Sequence, residues 1–170
     1  MPTKTIGTYR VIALDAATRI TGYSVYDNNT LVSYGTFRAN DADTTERINE
    51  IKHWLETIID SWEPDMVGLE NIQLQGGNVE VYRTLANLQG VLLDLLFEKD
   101  IWCDLAYSSE WRKYCGVGDG KGRENKKRQA QDKVEQWYGQ KCTQDEADAI
   151  CLGKYFCSKT KNHNSWGEDI

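Results

Sequence analysis

The sequence predicts an α/β domain whose centre is a five-stranded mixed sheet, a three-strand antiparallel meander plus two parallel strands, flanked by helices. Three observations predict it. Strand-like stretches follow one another almost without a break near the start of the 170-residue chain, as a meander requires. Segments of helical periodicity then alternate with short strands. Finally, two of the apolar strands stop on an acid, "VIALD" at Asp15 and "DMVGLE" at Glu70.

The elements follow in order. Arg10 to Ala16 reads as a buried strand, Ile20 to Asp27 as a second and Leu31 to Arg38 as a third, with "DNN" at Asp27 to Asn29 as the hairpin turn. A helix begins at Asp43, Thr44 or Thr45, carries Ile48, Ile51, Leu55, Ile58 and Trp62 at helical spacing, and ends at Pro64. Asp65 to Glu70 is the fourth strand. The loop "NIQLQGGN" leads to a helix from about Val79 to Lys99, with Tyr82, Leu85, Leu88, Leu92 and Leu96 on one side and Val81, Val91 and Leu95 elsewhere around it. That surplus of apolar residues suits either a two-fold dimer contact or a deeply buried helix. Ile101 to Ala106 is the fifth strand. "YSSEWRKYCGVGDGKGREN" reads as a mobile basic loop with one helical turn. Helices at about Glu124 to Tyr138 and Thr143 to Cys157 complete a single domain over residues 1–158, and residues 159–170 form a polar, flexible tail.

Composition narrows the class. Six Trp, nine Tyr and 40% hydrophobic residues predict a folded globule. No apolar segment approaches a membrane span or a secretory leader, so a soluble, cytoplasmic protein with no membrane partner is expected. Five cysteines without a CxxC pair fit neither a disulfide framework nor a zinc site and predict small core residues in a reducing compartment. The net charge of −6 is unevenly spread. Trp111 to Lys141 holds nine Lys or Arg against four Asp or Glu, which allows one basic face on an acidic protein as well as an ordinary solvated helix surface.

The sharpest local pattern is "TQDEADAICLGKYF", Thr143 to Phe156. Asp145, Asp148, Leu152 and Tyr155 lie on one helical stripe, so the face that docks on the sheet begins with two aspartates. Thr143 and Glu146 also fit a T-x-x-E capping box, which accounts for Glu146 and tolerates Asp145. Capping does not account for Asp148 on the apolar stripe, where a charge needs a cationic partner. With Asp15 and Glu70 at the ends of strands, four carboxylates from distant segments are expected to converge. Such a set, with no opposing His or Cys, suits Mg²⁺ or Mn²⁺, two ions per site.

In this order, "LDAATRITGYSVYD", "MVGLENIQLQ", "TLANLQGVLLDLL", "YSSEWRKYCGVGDGKG" and "DEADAICLG" resemble the RuvC-type Holliday junction resolvases, within the ribonuclease H-like superfamily. The likeness covers Val11 to about Phe156, and the "W-R-K-x-x-G" stretch looks like the forms carried by bacteriophages. The resemblance implies a homodimeric crossover junction endodeoxyribonuclease that nicks four-way or branched DNA symmetrically, without a small-molecule cofactor, in the bacterial host cytoplasm if phage-encoded. It implies Asp15, Glu70, Asp145 and Asp148 as catalytic metal ligands, and basic residues near the scissile phosphate at Lys113 and at Lys126 or Lys127. The loop after the second acid opens the junction in the family, often with an aromatic wedge; Ile72 and Leu74 stand there in this chain.

Residue chemistry adds candidates for contact with DNA. Lys126 shares a helix face with Ala130, Val134 and Trp137, so it either snorkels past the core edge or enters the cleft as a catalytic cation. Arg112, Lys113, Lys121, Arg123, Lys127 and Arg128 are candidate phosphate contacts, and Gln73 and Gln75 are candidate polar contacts at an opened junction. Three other readings compete. A related nuclease in RNA processing and a junction-binding module without cleavage both fit the pattern. An actin-like kinase would need a second domain for which the chain has no room.

Overall fold

The structure, a computed structural model, describes residues 4–74, 77–118 and 123–163. Ten elements run in the order β1 (Arg10–Asp15), β2 (Ile20–Asp27), β3 (Thr30–Arg38), α1 (Thr44–Trp62), β4 (Met66–Glu70), α2 (Val79–Glu98), β5 (Trp102–Ala106), α3 (Ser108–Cys115), α4 (Arg123–Tyr138) and α5 (Gln144–His163). The sheet order is β3-β2-β1-β4-β5. β1 to β3 form the antiparallel meander, and β4 and β5 add in parallel. The first strand is therefore central.

Local chemistry explains the turns. Asn28 and Asn29 take positive φ between β2 and β3, a conformation asparagine tolerates better than most residues. Asp43 caps α1 by accepting from the Thr45 and Glu46 N–H groups at 2.7 and 3.2 Å. Glu63, left-handed at φ 48°, ends α1 just before Pro64.

Strand alternation separates two cores. Ile12, Leu14, Val67 and Leu69 face α1 and α2, packing with Ile51, Leu55, Leu88 and Leu92. Val11, Ala13 and Met66 face the other way, with Ile150, Leu152 and Phe156 of α5 and Ala130 and Val134 of α4. On this second face the sheet is pared down to admit a helix. A β-carbon on Gly68 would collide with the Phe156 ring.

Several expectations are corrected. Ile59, not Ile58, completes the buried side of α1. In α2, Leu95 joins Leu88, Leu92 and Leu96 in the core, whereas Tyr82 is exposed along with Val79, Val81 and Phe97. The stretch expected as a basic loop with one helical turn begins with the eight-residue α3. Its start is fixed by the Tyr107 N–H donating to Glu110 at 2.7 Å, and its inner side by Trp111 and Cys115, four residues apart and buried. α5 is buried all round from Ala147 to Gly153, because the sheet covers one side and α3 and α4 the other. It continues to His163, so residues 159–163 belong to the helix rather than to a loose tail. Among the described residues, no helix is long and apolar enough to cross a membrane.

Candidate active site

β1 and β4 run parallel and in register, the last pair being Leu14 with Leu69. Asp15 and Glu70 are each the next residue, so they close the two strands side by side at one edge of the sheet. Alternation puts both on the α5 face, in line with Ala13 and Gly68. A parallel pair with acids at equivalent ends is what the pattern "VIALD … MVGLE" encodes.

α5 reaches that edge because β2 lets it. Gly22 is the strand partner of Asp15, and a β-carbon there would fall inside contact with the Asp145 backbone carbonyl. Further along β2, the Ser24 hydroxyl donates to the Ala149 carbonyl at 2.7 Å and the Tyr26 hydroxyl to that of Ile150 at 2.9 Å. The start of the helix is set by the capping box the sequence predicts. Glu146 accepts from the Thr143 N–H at 2.7 Å, and Thr143 Oγ1 accepts from the Glu146 N–H at 3.3 Å. Asp145 thus lies beside the end of β1, and Asp148, one turn on, is 7% exposed.

Glu70 has a partner that the sequence alone does not reveal. Trp111 Nε1 donates to Glu70 Oε2 at 2.7 Å, and the Trp111 side chain is fully buried. The Arg112 guanidinium lies over the Trp111 ring, 4.8 Å from its centroid. Burial pushes the Glu70 carboxyl above its ordinary value, while the indole hydrogen bond and the Arg112 charge pull it back down. The signal is the Glu110 cap with Trp111 and Cys115 at helical spacing, hidden by the glycines that follow. Gly22 is hidden for a different reason: its role depends on a contact 123 positions away.

The backbone brings the positions of Asp15 and Glu70 to this edge with the start of α5 beside them, and carboxylates are hard oxygen ligands of the kind suited to Mg²⁺ or Mn²⁺. The cysteines offer no competing soft site. Burial pushes the Cys142 thiol up to about 11 and the Cys103 thiol up to about 12, so both remain protonated. Among the described residues, no three His, Cys, Asp or Glu side chains already surround a common point. The elements and the ligand chemistry fit a hard divalent cation.

The remaining candidates are distributed as follows. Arg112 is half-buried against Trp111, and Lys113 is exposed on α3. Arg128 is exposed on α4 and lines a polar depression of about 560 Å³ with Lys141 and Gln144. Arg123, Lys126 and Lys127 lie in the first turns of α4, and their side chains fall outside the description, as do Lys121 and Gln75 altogether. Ala130 and Val134, which share the Lys126 face, are buried. In the loop after Glu70, Gln73 and Leu74 are exposed. Ile72 is held by its N–H donating to Gln89 at 3.2 Å, and Gln89 donates to Asn71 at 3.3 Å.

The family model described as crossover junction endodeoxyribonuclease RuvC matches residues 11–153. A crossover junction endodeoxyribonuclease RuvC from Pelodictyon phaeoclathratiforme is 28% identical over 125 residues, covering 71% of this chain and 63% of that protein. The chain thus spans under two thirds of this relative's length. The structure of RuvC from Thermus thermophilus in complex with Holliday junction substrate matches with a TM-score of 0.72 at 14% identity, over 90% of this chain and 96% of that one. Fowlpox virus resolvase, solved with Holliday junction DNA, matches with a TM-score of 0.57 at 15% identity, over 89% of this chain and 98% of that one. These likenesses establish the ribonuclease H-like mixed sheet with its flanking helices.

Proposed function

The chain belongs to the crossover junction endodeoxyribonuclease RuvC family, and from that premise we propose that it resolves four-way and related branched DNA by paired, symmetric, metal-dependent nicks. One observation supports the proposal: β1 and β4, which end on Asp15 and Glu70, run side by side, and the start of α5 at Asp145 packs against Gly22, the strand partner of Asp15. The proteins of like fold named above were solved on Holliday junctions, which supports branched DNA as the substrate here.

Asp15, Glu70, Asp145 and Asp148 would hold two Mg²⁺ or Mn²⁺ ions. When bound, such paired ions activate a water and stabilise the leaving oxygen of an in-line phosphodiester displacement. Each protein group has its own part. Asp15 and Glu70 are presented on adjacent strand ends and so keep a fixed separation. Asp145 and Asp148 come from a helix pinned to β2 through Ser24 and Tyr26, so their approach to Asp15 is rigid. Arg112 and Lys113 on α3, with Arg123, Lys126, Lys127 and Arg128 in the sequence of α4, would supply positive charge for the DNA backbone. Lys121 stands just before α4 in sequence, and Gln73 and Gln75 belong to the stretch that follows Glu70.

A homodimer completes the proposal, since two sites related by a dyad would cut a two-fold junction symmetrically. The exposed Val79, Val81 and Tyr82 at the start of α2 are an apolar surface that a second copy would cover. The test is a labelled synthetic four-way junction incubated with the protein. Two symmetric nicks with Mg²⁺ and intact, bound junction with chelator are expected. Binding without cleavage at any divalent ion would leave only the junction-binding reading, and preferential cutting of structured RNA would favour the RNA-processing one.

A further inference from the structure

Glu70 and Trp111 solve a problem for each other. A buried indole N–H needs an acceptor, and a neutral backbone carbonyl would serve as well as any. Here the acceptor is instead the Glu70 carboxylate, 2.7 Å from the indole nitrogen. The indole is fully buried in the core cluster that also holds Met66, Ala106, Ile150 and Cys151, so it has little freedom to follow a wandering carboxylate. α3, which carries it, is tied to α5 by the Cys115 thiol donating to the Cys151 carbonyl at 3.5 Å. The Arg112 guanidinium over the indole face adds positive potential on the same side.

We propose that Trp111 is a positioning residue: its indole N–H fixes Glu70 Oε2 and holds the carboxylate oriented for a divalent cation. This rests on the reading of Glu70 as a cation ligand. A carboxylate keeps further lone pairs after accepting one hydrogen bond, so the bond orients the ligand without using it up. It also couples the cation site to α3. Partners of this kind change metal affinity or activity by about 10- to 100-fold when removed.

The decisive variant keeps the ring and removes only the donor: Trp111 replaced by its benzothienyl analogue, in which sulfur stands in place of the N–H, in the full chain. Trp111→Phe serves as the second variant. Mn²⁺ binding is measured by calorimetric titration of protein without DNA, with Asp15→Asn as the control that loses a ligand outright. The expected result is Mn²⁺ binding weakened about 10- to 100-fold, with junction affinity in chelator unchanged. In the wild-type protein, the Trp111 indole ¹⁵N–H resonance should shift on Mg²⁺ addition while those of Trp54 and Trp62 stay in place. Wild-type Mn²⁺ affinity in the benzothienyl protein, or an indole signal unmoved at saturating Mg²⁺, overturns the inference and leaves the nuclease reading standing. If wild type and Asp15→Asn both fail to bind Mn²⁺, the nuclease reading falls, and this inference with it.

Discussion

The backbone carbonyl of Asp145 fills the space where a β-carbon on Gly22 would sit, and Gly22 is the strand partner of Asp15. A single glycine therefore sets how closely the acids of α5 approach the acid of β1. The obstacle is backbone on both sides, so neither can turn away. Gly22→Ala should cost about 1–3 kcal/mol of stability, as overpacked sites do, and should lower nicking by moving Asp145 and Asp148 outward. Urea melts paired with junction-cleavage rates check it; unchanged cleavage would mean that this approach does not set the site.

Glu70 gives a prediction about pH. Its folded value lies above the ordinary 4.5, with burial the leading cause. Such a group binds its proton more tightly in the folded state, so the stability it contributes is complete below the unfolded value and is lost as pH rises through the folded one. Metal-free Glu70→Gln should therefore match wild type in acid and exceed it in thermal midpoint at neutral pH. Mn²⁺ should reverse the order, since ion at 100 times its dissociation constant stabilises by about 2.7 kcal/mol. A midpoint difference that does not vary with pH would contradict this.

The four acids make separate predictions. Asp15→Asn, Glu70→Gln, Asp145→Asn and Asp148→Asn should each reduce cleavage at least about 100-fold, the loss of several kcal/mol of charge stabilisation. Junction binding should survive in all four, because the proposed phosphate contacts lie on other residues. Gel shifts and cleavage assays on the same preparations separate the two effects.

Charge removal at Lys121, Arg123 and Lys127 should weaken junction binding and flatten its salt dependence, lowering the log–log slope by about 0.9 for each phosphate no longer neutralised. An unaltered slope would exclude that surface.

The parts of this protein that follow a local rule are legible in the sequence. Alternation and turn residues place all five strands within one residue of their observed ends, and the Thr143–Glu146 cap marks the start of α5. The convergence of β1, β4 and α5 is legible as well, because a mixed sheet with a central first strand brings those ends together. What local rules miss depends on distance in the chain. Gly22 reads as an ordinary strand residue until Asp145 is set against it. Trp111 reads as part of a loop because the four glycines after it outweigh a short helix, and its bond to Glu70 spans 41 positions. The burial of α5 on every side likewise needs α3 and α4 in place, which no periodicity within α5 reveals.

The most direct test is a crystal of the protein soaked in manganese and measured at the manganese absorption edge. The account predicts two anomalous peaks about 4 Å apart, bounded by Asp15, Glu70, Asp145 and Asp148. An active protein whose manganese sits elsewhere, or touches none of these four side chains, would contradict it.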